Sequence, residues 1–114
     1  METDNHINYI EFKAHDIEKT KTFYSAAFAW IFMDYGPSYT AFSESGLAGG
    51  FELSEEKIIN GVLIVLYHTD LDRIKSNTIK AGGAISKDIF SFPGGHRFYY
   101  TDLSGNELAV WSDN

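Results

Sequence analysis

The stretch His-Asp-Ile-Glu-Lys-Thr-Lys at residues 15–21 decides the fold, because a similar stretch, Thr-Asp-Leu-Asp-Arg-Ile-Lys, stands at residues 69–75. In each copy an Asp occupies the position that caps a helix, followed by an aliphatic residue and alternating acids and bases. A short apolar run precedes each copy. The turns at residues 45–48 and 104–107 also resemble each other, and each leads into a short apolar segment. Two copies indicate a duplicated module, not a solenoid.

Residue periodicity predicts the order of elements in the first module. Residues 7–14 alternate between apolar and polar side chains, which is typical of a half-buried strand. Residues 17–29 carry apolar side chains at helical spacing. Turn residues then separate three predicted strands, at residues 30–35, 39–44 and 47–53. The first module is therefore predicted as β-α-β-β-β.

The second half of the chain repeats that order. We expect a helix that Gly82 and Gly83 end. The predicted elements are a strand at 62–68, the helix at 71–81, and strands at 84–89, 96–101 and 107–111. We expect one domain over residues 1–114, with module one at 6–53, a polar linker at 54–60 and module two at 61–112.

Composition excludes several classes of protein. With 114 residues, 44% of them hydrophobic, the chain can bury one core. Its net charge of -7 argues against a nucleic-acid partner. No segment approaches the roughly 20 apolar residues of a membrane span, and residues 1–6 are too polar for a signal peptide, so a cytoplasmic location is expected. Because cysteine is absent, disulfides, thiolate metal sites and a Cys nucleophile are excluded.

The duplicated β-α-β-β-β unit resembles the vicinal oxygen chelate superfamily, which includes glyoxalase I, extradiol dioxygenases, bleomycin-resistance proteins and methylmalonyl-CoA epimerase. The resemblance covers nearly the whole chain. It rests on the two helix starts and on these motifs: Tyr9-Ile10-Glu11-Phe12, Phe23-Tyr24, Phe28-Ala29-Trp30 and Asp102-Leu103-Ser104-Gly105-Asn106. Relatives usually have Gly where Ala29 stands and Pro where Leu103 stands.

The resemblance implies an α+β fold with a small-molecule cavity. In that superfamily the two modules pair edge to edge into a curved, open barrel of eight strands, whose concave wall holds the ligand. Two-fold dimers are common in that superfamily. This chain has 9 Phe and 7 Tyr, enough to leave some aromatic side chains exposed on the surface. We therefore expect a homodimer.

The resemblance also locates the metal site of those members that use a divalent ion. Their ligands, His, Gln or Glu, come from the first and last strand of each module. The corresponding positions here are Tyr9, Gly50, Leu63 and Ala109, and a divalent ion needs three or four converging donors. A register slip of two would bring in Glu52, but one carboxylate does not make a site. We expect neither a metal nor another cofactor.

Strand alternation predicts the wall of the cavity. These residues are Tyr9, Glu11, Lys13, Glu52, Leu63, Val65, Tyr67, Ala109 and Trp111. Glu11 is the candidate catalytic residue, because a carboxylate beside Tyr9 and facing Trp111 can act as an acid or base. Its alternative role is an ion pair with Lys13 or a solvated surface charge. The candidate ligand-binding residues are Tyr9, Glu52, Tyr67 and Trp111, although aromatic side chains often serve packing alone.

The segment Phe-Pro-Gly-Gly-His at residues 92–96 is open to three interpretations. It is a lid over the cavity, a phosphate-binding turn, or a plain loop between two strands. No helix follows the glycines, so the dipole and converging amides of a phosphate site are missing.

Three classes of function follow. The first is a small-molecule-binding protein of the bleomycin-resistance type without a complete metal site. The second is a lyase or isomerase of the glyoxalase type that uses Glu11, or a divalent metal if the strand register differs. The third is an accessory domain whose cavity is vestigial. The missing ligands favour the first and third classes, and the carboxylate beside a tyrosine favours the second.

Overall fold

The first module has the predicted order of one strand, one helix and three strands. The computed structural model describes residues 2–114. Its first five elements are β1 (Ile10–Ala14), α1 (Ile17–Phe28), β2 (Ile31–Asp34), β3 (Tyr39–Ser43) and β4 (Gly49–Leu53). Helix α1 begins after Asp16, whose carboxylate accepts a hydrogen bond from the backbone N–H of Lys19. The predicted helix cap is confirmed.

The second module repeats the first. Its elements are β5 (Ile64–Tyr67), α2 (Leu71–Lys80), β6 (Ala84–Phe92), β7 (Gly95–Thr101) and β8 (Glu107–Ser112). Asp70 caps α2 by accepting a hydrogen bond from the backbone N–H of Arg73. The duplicated sequence motif is thus a pair of equivalent helix starts. Within residues 2–114, neither helix is long and apolar enough to cross a membrane.

Each module contributes one mixed four-stranded sheet. The strand orders are β1-β4-β3-β2 and β5-β8-β7-β6, and in each sheet the first pair is parallel and the others are antiparallel. The predicted α+β class with two βαβββ modules is confirmed. The sheets stay separate and are not closed into one barrel, because β1 and β5 are edge strands. Within residues 2–114, no strand pair joins the two sheets directly.

Aromatic side chains form the core between α1 and the first sheet. The Tyr24 ring stacks on Trp30, and Trp30 stacks on Phe42, with 4.6 Å between centroids in both pairs. Phe51 lies 5.2 Å from Tyr24. All four side chains are buried. The aromatic residues after the helix start therefore serve packing, and each pair adds about 1 kcal/mol beyond simple burial.

Asp102 ties the two modules together. Its Oδ1 accepts hydrogen bonds from the backbone N–H groups of Ser104, Gly105 and Asn106, at 2.9–3.0 Å. Its Oδ2 accepts a 3.0 Å hydrogen bond from the hydroxyl of Tyr24 in the first module. Both side chains are buried. The Asp-Leu-Ser-Gly-Asn motif is thus a turn whose carboxylate also holds α1.

The segment at residues 92–96 is a tight hairpin turn. Phe92 and Gly95 pair across β6 and β7, so Pro93 and Gly94 alone lie outside the strands. A connection of two residues has no length to cover a cavity. The interpretation as a lid is therefore wrong, and the plain turn is correct.

Candidate functional site

Three side chains form a hydrogen-bonded group on the side of the first sheet opposite α1. The Tyr39 hydroxyl donates to Glu11 Oε1 at 2.9 Å. The hydroxyls of Tyr39 and Tyr9 are 2.5 Å apart. Because the one O–H of Tyr39 already donates its hydrogen bond to Glu11, Tyr9 is the donor in the second hydrogen bond. We call Tyr9, Glu11 and Tyr39 the phenol–carboxylate cluster.

A glycine makes room for this cluster. In the strand register Gly50 lies opposite Glu11 on one side and opposite Ala41 on the other. A Cβ atom at position 50 would collide with the hydroxyls of Tyr39 and Tyr9. The missing side chain of Gly50 therefore lets both phenols reach over the centre of the sheet.

Tyr39 is a neutral donor over the physiological pH range. Burial, together with the hydrogen bonds to Tyr9 and Glu11, raises the pKa of Tyr39 above its ordinary value. The proton therefore stays on Tyr39 and fixes the orientation of the Glu11 carboxylate. This arrangement presents a carboxylate and a phenol on one open surface, suited to ligands that donate hydrogen bonds.

The other predicted site residues of module two lie on the second sheet. The rings of Tyr67 and Trp111 meet edge to face, with centroids 5.2 Å apart. The Tyr67 hydroxyl donates to Asp113 at 2.8 Å, and Trp111 also contacts Phe92. Glu11 is hydrogen-bonded to Tyr39, on the other sheet. The facing of Glu11 and Trp111 across the two modules therefore stays a prediction.

The ion pair expected as the alternative role of Glu11 is not formed. Lys13 instead pairs with Glu56 of the segment after β4, at 2.5 Å. Glu52 lies in register between Lys13 and Tyr39, which puts it on the same face as the phenol–carboxylate cluster. Glu52 is exposed. Module one thus presents two carboxylates, one held by Tyr39 and one facing solvent.

Two open cavities adjoin the predicted residues, where the sequence led us to expect one. A groove of about 650 Å³ contains Tyr9 and Glu11 and is bounded by residues 56–62. A cleft of about 610 Å³ contains Tyr67 and lies between β1 and β5 on the helix-facing side. Ile10, Phe12 and Ile64 belong to the walls of both spaces, which therefore adjoin each other between β1 and β5.

The residues at the four expected metal positions do not fit a divalent ion. Gly50, Leu63 and Ala109 carry no side-chain donor, and the phenol of Tyr9 is hydrogen-bonded to Tyr39 in the space above Gly50. In the described part of the chain, no three His, Asp or Glu side chains come together. His15, His68 and His96 instead form hydrogen bonds with nearby backbone groups.

Sequence reasoning missed two residues that the structure brings to these surfaces. Tyr39 was placed at a strand start, but its contact with Glu11 depends on β3–β4 register, which alternation alone does not give. Arg97 lies on β7 among aromatic rings. The sequence does carry a signal for Arg97. It is one of only two arginines in an acidic chain, and aromatic residues follow it directly in the strand.

Comparison with known proteins supports the fold. Neither a protein-family model nor a curated protein sequence matches the chain. A solved glyoxalase-related enzyme from Fulvimarina pelagi is 16% identical with a TM-score of 0.82, covering 95% of this chain and 88% of that one. A glyoxalase/bleomycin resistance protein/dioxygenase family enzyme from Burkholderia phytofirmans PsJN is 14% identical with a TM-score of 0.83, covering 94% and 98%.

A third solved structure is similar to the same extent. The fosfomycin resistance protein FosX from Listeria monocytogenes is 16% identical with a TM-score of 0.81, covering 96% of this chain and 94% of that one. At these identities the likeness concerns the fold. Together with the duplicated βαβββ modules, it shows that the chain has the vicinal oxygen chelate fold of the glyoxalase and bleomycin-resistance proteins.

Proposed function

We propose that this protein binds a small molecule on the faces of its two sheets that point away from the helices, without a metal centre. The phenol–carboxylate cluster is the observation that carries the proposal. It combines an oriented carboxylate and two phenols above Gly50, one of the four positions that the resemblance assigns to metal ligands. The cluster lies on an open face of the sheet, where a ligand can contact it directly. The cytoplasmic location expected from the sequence stays a prediction.

A homodimer is part of the proposal. The sheet faces opposite the helices expose large apolar side chains, of which Ile31, Met33 and Tyr67 are 59%, 63% and 53% exposed. Apolar patches of this kind mark interfaces or binding grooves. Within residues 2–114, the edge strands β1 and β5 each pair with one strand only, so their outer edges have no strand partner. A second copy can cover these surfaces and turn the open groove beside Glu11 into an enclosed cavity.

Catalysis by Glu11 is the second candidate function. Tyr39 holds one carboxylate oxygen, which leaves the other available to a substrate proton. One solved neighbour is described as a glyoxalase-related enzyme, and the lyase or isomerase reaction follows from the resemblance to glyoxalases. Catalysis requires that the bound compound is converted to a product, whereas the first candidate function requires only that the compound binds.

Ligand binding is tested by screening small aromatic and polar compounds through thermal unfolding. A ligand at 100 times its dissociation constant stabilises the folded state by about 2.7 kcal/mol. We expect Glu11→Gln and Trp111→Ala to lose this stabilisation, while Glu55→Gln, in the exposed linker, keeps it. If the wild-type protein turns over a compound and Glu11→Gln does not, the second candidate function, catalysis by Glu11, is supported. If no compound shifts the unfolding midpoint, the vestigial cavity becomes the better interpretation.

Light scattering at micromolar concentration tests the dimer. We expect a mass of about 26 kDa, twice the 12.8 kDa of one chain. Replacing Met33 with Glu puts a charge into the exposed apolar face and is expected to give monomers. A wild-type mass equal to that of one chain would contradict the dimer but would leave the proposed ligand binding open.

A further inference from the structure

Arg97 lies in a ring of aromatic side chains on the second sheet. Its register partner on β8 is Trp111, and its partner on β6 is Phe90. The guanidinium carbon is 5.5 Å from the ring centroid of Phe90, and 5.3 Å from those of Phe92 and Tyr99. Strand alternation puts this group on the side away from the helices, together with Tyr67. We call Lys87, Phe90, Phe92, Arg97, Tyr99 and Trp111 the Arg97 surface.

The hydrogen bonds of Arg97 are incomplete. A guanidinium has five N–H donors. Within residues 2–114 its side chain makes one hydrogen bond, from Nη2 to the hydroxyl of Tyr99 at 3.0 Å. The Nε atom is buried and has no acceptor. Cation–π contacts offset part of the lost hydration, but they do not supply acceptors for the remaining N–H groups.

No carboxylate balances this cation in the described chain. The lysines at 13, 21 and 75 all pair with acids, whereas Arg97 does not. The two acids on the same face are used elsewhere. Asp113 accepts from Tyr67, and Glu107 accepts from Ser86. The other basic residues without an ion pair in the described chain, namely Lys19, Lys57, Arg73, Lys80 and Lys87, are exposed, whereas Arg97 is half-buried and its Nε is shielded from solvent.

A second cation reinforces the first. The Lys87 ammonium lies 4.3 Å from the ring centroid of Phe90 and 5.7 Å from that of Tyr99. Lys87 also has no acid within ion-pair distance in the part of the chain that the structure describes. The Arg97 surface therefore combines two unpaired positive charges with rings that can stack on a planar group.

We propose that the Arg97 surface binds an oxyanion, either a carboxylate or a phosphonate, carried on an aromatic or other planar apolar body. The flat, forked guanidinium matches such an anion in a bidentate manner, and Lys87 adds charge beside it. Trp111 and Phe92 provide the apolar contact for the body of the ligand. This inference rests on the proposed small-molecule function and names its ligand class.

Calorimetric titration with three matched probes tests the ligand class. Benzoate and phenylphosphonate carry the two oxyanions, and benzamide is the neutral analogue of benzoate. We expect the wild-type protein to bind at least one anion about tenfold or more tightly than benzamide. The relative affinity of the two anions shows which oxyanion the surface prefers. Affinity for benzamide equal to that for both anions would overturn the ligand class but leave the small-molecule function in place.

Two substitutions at position 97 connect the effect to the guanidinium. Arg97→Met keeps the length of the side chain and removes the charge, so the preference for anions should disappear. Arg97→Lys keeps the charge without the fork and should recover only part of it. Arg73→Met, at the other arginine on the exposed side of α2, should bind the anions as the wild type does. Thermal unfolding of each variant verifies that it is folded.

The remaining outcomes overturn the proposal in distinguishable ways. Anion binding that survives in folded Arg97→Met places the ligand elsewhere on the protein. If a carboxylate of a second copy pairs with Arg97, the wild-type protein binds neither anion and Arg97→Met weakens the dimer. If none of the three probes binds up to about 10 mM and the dimer is unaffected, the inference fails, and the small-molecule function fails with it only if no compound of the thermal-unfolding screen binds either.

Discussion

At the scale of single residues, Ala29 occupies a conformation that favours glycine. It ends α1 with φ 60° and ψ 28°, in the left-handed region, and its N–H bonds to the carbonyl of Ser25. A side chain with a Cβ atom loses roughly 1–2 kcal/mol there compared with glycine. Members of the fold that have Gly at this position avoid that loss.

Ala29→Gly is therefore expected to stabilise the protein by about 1 kcal/mol. Denaturant unfolding measures the change. Ala26→Gly is the matched control, because Ala26 is exposed inside the same helix and glycine there should destabilise by about 1 kcal/mol. Equal losses at both positions would show that Ala29 is not strained.

At the scale of elements, the position of Gly50 on β4 decides whether the phenol–carboxylate cluster forms. A methyl group at this position would push away the hydroxyls of Tyr39 and Tyr9. Gly50→Ala should therefore lower stability by about 1–3 kcal/mol through overpacking and abolish ligand binding near Glu11. Gly61→Ala is the control, since a Cβ atom there meets open space. Ligand affinity unchanged in Gly50→Ala would show that the cluster is not part of the site.

The elements themselves follow from local sequence, and their contacts do not. Asp16 and Asp70 predict the helix starts because capping depends on neighbouring residues alone. Strand ends are predicted less well than helix starts. The predicted strand ended at residue 89, whereas β6 continues to Phe92. Periodicity identified the face that carries Glu11, but its bond to Tyr39 depends on pairing between strands. Long-range register is set by the whole fold, and so the site could be predicted only in part.

At the scale of the whole molecule, buried tyrosines link stability to pH. Burial, with the nearby charge of Asp102, raises the pKa of Tyr24 well above its ordinary value, and burial also raises the pKa of Tyr100. Above about pH 10 the unfolded chain loses these protons while the folded protein keeps them. The folded state then binds more protons, so stability is fully present below pH 10 and falls as the pH rises further.

Each such tyrosine should increase the unfolding equilibrium constant about tenfold per pH unit above pH 10. Urea unfolding at a series of alkaline pH values measures the slope. Tyr24→Phe loses the hydrogen bond to Asp102 and is expected to be less stable at pH 7, but its stability should fall less steeply above pH 10. The same slope in both proteins would mean that Tyr24 ionises equally in the folded and unfolded states.

For the molecule as a whole, we propose that phenols and a carboxylate take the place of the metal centre that other proteins of this fold use. Tyr9, Gly50, Leu63 and Ala109 offer one side-chain oxygen among them, and that oxygen, the Tyr9 hydroxyl, donates a hydrogen bond to the hydroxyl of Tyr39. The most direct measurement is thermal unfolding of chelator-treated, dialysed protein with added nickel, zinc, manganese or iron(II). We expect the unfolding midpoint to stay unchanged with every ion. An ion at 100 times its dissociation constant would add about 2.7 kcal/mol to stability, and a clear rise in the midpoint with any of them would contradict the metal-free site.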